Sequence, residues 1–247
     1  MSGAGADNGG MCGRYTLTAP APQVAAAFGV PDPPALTPRY NVAPSQVVAV
    51  IGLKPDGVRR GIALLRWGLV PPWANDPNHG PRPVNVRTET ARSKFGSIFR
   101  EKRCLIPADG FFEWKNLGTP DGAKKPLKQP MFIHRLDGEP LAFAGLWETW
   151  RDKAAEADAA AAEILRTTTI ITTSANATMA PVHDRMPVIL PASAWDAWLD
   201  PTNHDLASLG TLLVPAPDGL LTMHPVSTAV NSVRNRGPEL IEPVAPL

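Results

Sequence analysis

Proline and glycine are the residues that most restrict what this chain can fold into. Its 247 residues include 28 prolines and 20 glycines, together about 19% of the chain, against roughly 12% in an average protein. Proline lacks a backbone donor and glycine favours turns, so both interrupt helices and strands. The composition therefore predicts short elements joined by many turns, and it argues against a helical bundle.

Strand patterns outnumber helical patterns along the chain. Runs rich in β-branched or aromatic residues, bounded by Gly, Pro or Asp, occupy residues 46–53, 61–67, 107–114, 130–136, 141–150, 167–173 and 220–226. Helical patterns occupy residues 22–28, 88–99, 154–165 and 193–199, and residues 115–130 form a hydrophilic loop. Because the helices interrupt the strands irregularly, we predict an α+β fold with a curved, mostly antiparallel, barrel-like β-sheet core flanked by short helices.

The chain lacks the signals of a secreted or membrane protein. Residues 1–10 have no basic start and no apolar run, and the longest apolar stretches are too short to span a bilayer. The two cysteines, Cys12 and Cys104, are too few for a disulfide scaffold or a structural zinc site. We expect a cytoplasmic monomer with a disordered or removable extension at residues 1–11, one domain at residues 12–247, and no metal, cofactor or membrane partner.

Charge is distributed unevenly between the two halves of the chain. The net charge is +1, but residues 1–136 carry 18 Lys and Arg against 9 Asp and Glu, while residues 137–247 carry 6 against 14. A basic surface of this kind suits a nucleic-acid backbone. It equally suits a solvated face whose charge the acidic half neutralises in the folded protein, and charge alone does not separate the two interpretations.

Cys12 is the first candidate for chemistry. It follows Met11, at the point where the apolar pattern of the chain begins. If translation started at Met11, or if the first eleven residues were removed, Cys12 would carry a free α-amine beside its thiol. Such an aminothiol forms a Schiff base with an aldehyde and then closes a five-membered thiazolidine ring. The alternative is a small buried hydrophobe, which is what most lone cysteines are.

Eight sequence blocks, in order along the chain, together resemble one family. They are residues 11–15 (MCGRY), 39–44 (RYNVAP), 66–71 (RWGLVP) with Trp73, 85–89 (NVRTE), 103–114 (RCLIPADGFFEW), 143–147 (FAGLW), 172–176 (TTSAN) and 183–187 (HDRMP). This series resembles the SRAP family, the SOS response-associated peptidases also known as abasic-site processing proteins. Two features depart from the family pattern: Val86 stands where Ala is more usual, and ten residues precede Met11.

The resemblance implies a catalytic set of four residues. The family nucleophile maps onto Cys12, its glutamate onto Glu113, its histidine onto His183 and its asparagine onto Asn85. The glutamate would protonate the ring oxygen of an abasic deoxyribose and release its aldehyde, and its aromatic neighbours give it the apolar setting that suits an acid. The histidine would shuttle protons, and the asparagine would hold the opened sugar. The structural alternatives are an ion-paired strand carboxylate, a capping or core histidine, and a turn asparagine.

The resemblance also implies a set of residues that bind DNA. It comprises Arg14, Arg87, Trp67, Trp73, Asn41 and Pro44. The two arginines are assigned to phosphates, whose oxygens match the guanidinium fork. The two tryptophans would stack on unpaired bases or wedge the strand, and the last two residues would line the pocket around Cys12. Cys104 lies in an apolar run and is predicted to be structural.

Three functions are compatible with these residues. The first is a DNA-damage response protein that binds single-stranded DNA and cross-links covalently to its abasic sites through Cys12, with associated lyase and self-processing peptidase activity. This function would associate the protein with the nucleoid. The second is a cysteine peptidase that acts on other proteins, with His183 as the base. The third is a single-stranded DNA-binding module in which Cys12 is incidental.

Overall fold

The computed structural model describes residues 13–152 and 164–247. Twelve strands lie in these residues: β1 (Tyr15–Leu17), β2 (Arg39–Val42), β3 (Val47–Leu53), β4 (Arg60–Trp67), β5 (Asn85–Arg87), β6 (Arg103–Ala108), β7 (Gly110–Asn116), β8 (Lys128–Arg135), β9 (Leu141–Arg151), β10 (Ile164–Ser174), β11 (Arg185–Pro187) and β12 (Leu221–Pro225). The α-helices are α1 (Ala21–Phe28), α2 (Thr88–Lys94), α3 (Gly96–Glu101), α4 (Trp195–Leu199) and α5 (Leu206–Thr211). The described elements are short, as the proline and glycine content predicts.

Five of the strands close into a barrel. They follow the order β10–β4–β3–β6–β9, and β9 pairs in turn with β10 to complete the ring. The β4–β10 pair is parallel, whereas the other four pairs are antiparallel. The two short strands β5 and β11 add to β10 near its carboxyl end. The predicted α+β class with a barrel-like core is therefore confirmed.

A second sheet covers part of this barrel. Its strand order is β12–β8–β7–β1–β2, with every neighbouring pair antiparallel. Aromatic rings join the two sheets, because Tyr15 of β1 and Phe111 of β7 both meet Phe143 of β9 edge-to-face, at centroid distances of 6.1 and 5.9 Å. These contacts fix the position of β1 and β7 relative to the barrel.

Three sequence predictions need correction in detail. The helix predicted at residues 88–99 is two helices, α2 and α3, separated at Phe95, whose φ of −128° interrupts the helical backbone. The strand predicted at residues 107–114 is the end of β6 and most of β7; between them, the Asp109 carboxylate accepts hydrogen bonds from the backbone and hydroxyl of Thr18. The helix predicted at residues 154–165 falls largely outside the described residues, and its last two positions open β10.

Arg103 holds the helical layer against the barrel. It is 4% exposed, and within the described part of the chain its guanidinium donates only to backbone carbonyl oxygens. The acceptors are the carbonyls of Phe99, Arg100, Trp198, Asp200 and Asn203. Several of these belong to the carboxyl ends of α3 and α4, where helical carbonyls lack partners within the helix and a positive charge is favourable. One side chain therefore donates hydrogen bonds to carbonyl groups at the ends of two helices at once.

Candidate active site and nucleic-acid interface

Cys12 lies outside the described residues, but the strand that follows it does not. Strand β1 runs antiparallel to β7, with Tyr15 opposite Phe111, and the backbone N–H of Phe112 donates to the carbonyl of Arg14 at 2.9 Å. Glu113 is the next residue along β7 and is 4% exposed. The chain that leaves position 12 thus runs beside the strand that carries this buried carboxyl group.

Trp67 connects this strand pair to the rest of the site. It is 1% exposed and ends β4, its Nε1 donates to the carbonyl of Val84 at 2.8 Å, and its ring meets Tyr15 edge-to-face at 5.4 Å. Val84 directly precedes Asn85, so the indole links β1 to the start of β5. The prediction that Trp67 stacks on an unpaired base therefore needs correction, because its ring is enclosed in the core. Its role in this structure is to position the elements of the site.

Strand β10 brings the other candidate residues together. Asn85 pairs with Ile170 at the start of β5, and Arg87 pairs with Thr172 at its end. The segment that carries His183 enters β11, where Arg185 pairs with Ser174 of the same strand. Two sequence blocks almost one hundred residues apart are therefore held within a few residues of each other along β10. The side chain of Arg87 is exposed, as a phosphate contact requires.

Arg185 ties these two blocks together with an ion pair that the sequence did not indicate. Its guanidinium donates through both terminal nitrogens to the carboxylate of Glu89 in α2, and also to the carbonyl of Thr172 at 2.7 Å. This bidentate pairing lowers the pKa of Glu89 to about 2. The pair clamps α2, and with it the strand of Asn85 and Arg87, to the segment after His183.

We expect a Glu89→Gln variant to be less stable than the wild type only where Glu89 is ionised. Because the folded-state pKa lies below the ordinary value of 4.5, the contribution is present above about pH 4.5 and is lost as the pH falls towards 2. Glu89 is 59% exposed in its side chain, so solvent screening limits the effect to roughly 1 kcal/mol. Urea unfolding at pH 3 to 7 measures the difference, and a difference that does not change with pH would contradict the ionic role.

One ring nitrogen of His183 lies close to both a backbone donor and a carboxylate. Its Nδ1 lies 3.1 Å from the backbone N–H of Arg185 and 2.8 Å from Oδ1 of Asp184. A neutral ring accepts the Arg185 hydrogen bond through Nδ1 and carries its proton on Nε2, whereas a charged ring donates from Nδ1 to the Asp184 carboxylate. The imidazole is half-buried, with 27% of its side chain exposed. A hydrogen-bond donor and a carboxylate thus both lie within reach of the same ring nitrogen.

Arg14 and Asn41 hold in place a segment, residues 230–235, that the sequence analysis missed. Arg14 donates to the carbonyls of Val230 and Asn231 and to Oδ1 of Asn41, at 2.7 to 3.2 Å. The amide of Asn41 donates to the carbonyls of Val230, Ser232 and Asn235. Both terminal nitrogens of the Arg14 guanidinium are thus engaged with the protein. The arginine beside Cys12 positions residues 230–235 in this structure, and its assignment to DNA phosphates stays a prediction.

The segment after Val230 also adds exposed cations. Trp114, one residue after Glu113, donates from Nε1 to Oδ1 of Asn231 at 2.7 Å, which holds the segment beside β7. Arg234 and Arg236 follow and are exposed. The charge of Arg236 contributes to lowering the pKa of Arg39 in β2, after the larger effect of burial. The acidic carboxyl-terminal half therefore supplies basic residues beside the candidate site. The Arg-Asn-Arg sequence at residues 234–236 is the signal from which these cations could have been predicted.

The remaining candidates lie in turns around the same region. Pro44 is half-buried and precedes Ser45, whose φ of 69° is the one positive value at a non-glycine residue among those described. The Ser45 N–H donates to the carbonyl of Trp67 at 2.8 Å, which fixes this turn to the end of β4. Trp73 is 66% exposed, so its ring is accessible to a ligand. The Pro44–Ser45 turn therefore lies against the buried Trp67, and Trp73 follows it six residues later in the chain.

Cys104 has no part in this site. It is fully buried in β6, and burial raises the pKa of its thiol to about 12, so it stays protonated at neutral pH. Within residues 13–152 and 164–247, no group of three or more His, Cys, Asp or Glu side chains is arranged to hold a metal ion. In the same residues, no helix is long and apolar enough to cross a bilayer.

Comparison with known proteins decides the family. The profile of the family described as SOS response associated peptidase (SRAP) matches residues 11–233. The chain belongs to the SRAP family. The match begins at Met11, directly before Cys12, and leaves residues 1–10 outside it.

Three relatives of this chain share a name. "Abasic site processing protein YoqW" of Bacillus subtilis is 40% identical over 238 residues, covering 94% of this chain and 99% of the relative. "Abasic site processing protein YedK" of Escherichia coli is 30% identical, with coverage of 95% and 100%. "Abasic site processing protein HMCES" of Xenopus tropicalis is 32% identical, covering 82% of this chain and 65% of that protein.

Solved structures support the SRAP fold assignment. A crystal structure of a protein from Bacteroides thetaiotaomicron superposes with a TM-score of 0.77 at 24% identity, covering 95% of this chain and all of that one. A second, from Bordetella bronchiseptica, gives a TM-score of 0.70 at 26% identity, covering 87% of this chain and all of that one. The barrel and its accompanying sheet are therefore the architecture of these proteins as well.

Proposed function

We propose that this protein processes abasic sites in DNA, and that it binds single-stranded DNA and captures the lesion covalently through Cys12 as its first residue. Relatives at 30–40% identity over nearly the whole chain carry the name abasic site processing protein, which supports the general role. The residues beside Cys12 support the covalent step. The observation that carries it is the pairing of β1 with β7, which runs the chain leaving Cys12 beside buried Glu113.

The proposed reaction is a condensation that loses one water. Glu113 protonates the ring oxygen of the abasic deoxyribose, and the ring opens to an aldehyde. The α-amine of Cys12 adds to the aldehyde carbon and water leaves, giving a Schiff base. The Cys12 thiol then adds to the same carbon while its proton passes to the nitrogen, which closes the thiazolidine ring. His183 serves as the proton carrier, and Asn85 holds the opened sugar.

The amine must be free for this chemistry. With residues 1–11 attached, the nitrogen of Cys12 is an amide and does not condense with aldehydes. The proposal requires that residues 1–11 are absent or are removed. If the protein removes them itself, the reaction is hydrolysis of the Met11–Cys12 peptide bond by water. The family description as a peptidase supports this self-processing. Lyase activity follows from the same Schiff base, because an imine at the abasic carbon promotes elimination of the 3′ phosphate.

The experiment compares two chains that differ by one residue. A protein beginning at Cys12 and a matched protein with one extra glycine before Cys12 are incubated with a single-stranded oligonucleotide that carries one abasic site. We expect a conjugate that survives heating in detergent from the first protein alone, and none with an undamaged oligonucleotide. Intact masses before the reaction verify both starts. Equal conjugation by both chains, or none by the chain beginning at Cys12, would contradict the proposal.

Trp73 provides a separate test of the DNA surface. Its ring is 66% exposed, so Trp73→Ala should change the free energy of unfolding by less than about 0.5 kcal/mol. Loss of a stacking partner should weaken binding to undamaged single-stranded DNA by about fivefold or more. Fluorescence anisotropy with a labelled oligonucleotide measures the affinity. Unchanged affinity at low and moderate salt would remove Trp73 from the interface.

A peptidase that acts on other proteins is the alternative, with Cys12 as nucleophile and His183 as base. The two functions differ in the first residue that they require. Cross-linking needs Cys12 with a free α-amine, whereas a thiolate nucleophile works with or without a free amine. Turnover of added unstructured peptides by the chain with the extra glycine would favour this alternative over the cross-linking function.

A further inference from the structure

One end of the barrel contains an open cavity of about 500 Å³. All five strands of the ring contribute to its lining, through residues such as Val50 of β3, Ala63 of β4, Cys104 of β6, Trp147 of β9 and Arg166 of β10. The lining draws on every strand of the closed ring, and Ala63 and Arg166 are exposed, so the pocket lies at one end of the ring and opens to solvent. Its volume falls in the range of about 300–1,000 Å³ that is typical of small-molecule sites.

Small inward-facing residues create this space. A five-stranded barrel is narrow, and its interior is ordinarily filled by side chains. Here Gly52 pairs with Gly61, and Val50 pairs with Ala63, so three of these four adjacent inward positions carry one side-chain carbon or none. A Cβ built at Gly52 would meet no atom within 4 Å. The cavity therefore results from side-chain size at one end of β3 and β4, whereas Gly145, deeper in the barrel, is closely covered by Cys104 and Ile106.

The chemistry of the lining is apolar with cations at the edge. Val50, Leu65 and the half-buried Trp147 supply an apolar and aromatic wall. Lys54 lies with its stem over Gly61 and its ammonium 3.8 Å from the exposed Asp32, while Arg166 is exposed and makes no ion pair within the described residues. A ligand suited to this arrangement has an apolar or aromatic body and one negative charge.

We propose that this barrel cavity binds a small organic anion with an apolar or aromatic body, such as an aromatic carboxylate or sulfonate. The body enters between Trp147 and the Gly52–Ala63 wall, and the anionic group remains at the rim near Lys54 and Arg166. The cavity contains none of the residues assigned to DNA or to the aldehyde chemistry. Ligand binding there is consequently separable from the proposed function.

The test uses two fluorescent probes of similar shape and different charge. The anionic probe is 8-anilinonaphthalene-1-sulfonate, and the neutral one is N-phenyl-1-naphthylamine. Ala63→Phe fills the cavity, and Leu64→Phe adds the same ring on the opposite face of β4, where Leu64 is 54% exposed. Gly52→Val is a second filling variant, because a Cβ at this position meets no atom within 4 Å. Thermal melting verifies that each variant is folded.

We expect saturable binding of both probes at a stoichiometry near one. Either filling variant should weaken both probes by about tenfold or more, while Leu64→Phe leaves them within about twofold. Lys54→Gln combined with Arg166→Gln should weaken only the sulfonate, by roughly two- to fivefold. Absence of saturable binding, equal effects of Ala63→Phe and Leu64→Phe, or equal loss of both probes after charge removal would each overturn the proposal.

Discussion

A Cys12→Ala protein that begins at residue 12 is expected to form no conjugate that survives heating, while it still forms a reversible Schiff base. Alanine retains the α-amine but has no thiol to close the ring, so the imine hydrolyses again on denaturation. Borohydride added during the reaction reduces the imine and should trap the conjugate of this variant. Loss of the borohydride-dependent product together with the heat-stable product would indicate that the thiol has a different role.

Glu113→Gln should slow conjugation without preventing it. General acid catalysis by a positioned group contributes about 100- to 10,000-fold, so we expect a loss of at least about 100-fold in the initial rate at neutral pH. Glu113→Asp retains an acid and should recover part of the rate, and Glu139→Gln, at an exposed carboxylate, serves as the matched control. If a Glu113→Gln protein reacts at the wild-type rate, another group must open the sugar ring.

The role of His183 in conjugation is tested in the same way. His183→Gln is compared with His204→Gln, which alters an exposed ring.

The largest expected loss of stability follows replacement of Arg103. Arg103→Met keeps much of the apolar stem but removes the guanidinium donor from five carbonyl oxygens, two of them in buried hydrogen bonds and three in partly buried ones. We expect a loss of about 3–5 kcal/mol, a large part of the ~5–15 kcal/mol that stabilises a typical domain. Arg103→Lys should recover little of it, because one ammonium group has three donors and cannot reach all five carbonyl oxygens.

Denaturant unfolding measures the effect of Arg103, with Arg100→Met as the matched control. Arg100 is one turn earlier and exposed, so its replacement should change the free energy of unfolding by no more than about 0.5 kcal/mol. If Arg103→Met and Arg100→Met lowered the free energy of unfolding by the same small amount, Arg103 would not be the residue that joins α3 and α4 to the barrel. If Arg103→Met does not fold, the same comparison is made with Arg103→Lys.

Elements with strong local patterns could be predicted, and elements without them could not. The long strands β3, β4, β9 and β10 are runs of β-branched or apolar residues, so their positions were foreseen to within a few residues. Strands β5 and β11 have three residues each, too few for a periodic pattern, and they form because β10 offers a free edge. Barrel closure depends on the β9–β10 pairing and on a parallel contact between β4 and β10.

In the candidate site, too, a local motif could identify single residues but not the contacts that they make. Motifs identified Glu113, Asn85 and His183 as candidates, but the elements that join them come from distant parts of the chain. Trp67 precedes a proline-rich turn, which favoured an exposed ring, yet Tyr15 and Val84 enclose it. The partners of Arg14 at residues 230 and 231 lie more than 200 positions away, and no local pattern indicates that contact.

The intact mass of the purified protein–DNA conjugate tests the central claim most directly. Capture of an aldehyde by a terminal aminothiol predicts the mass of the chain from Cys12 to Leu247, plus that of the oligonucleotide with its abasic site, minus one water. A conjugate that retains residues 1–11, or one that forms only after reduction, would contradict the account.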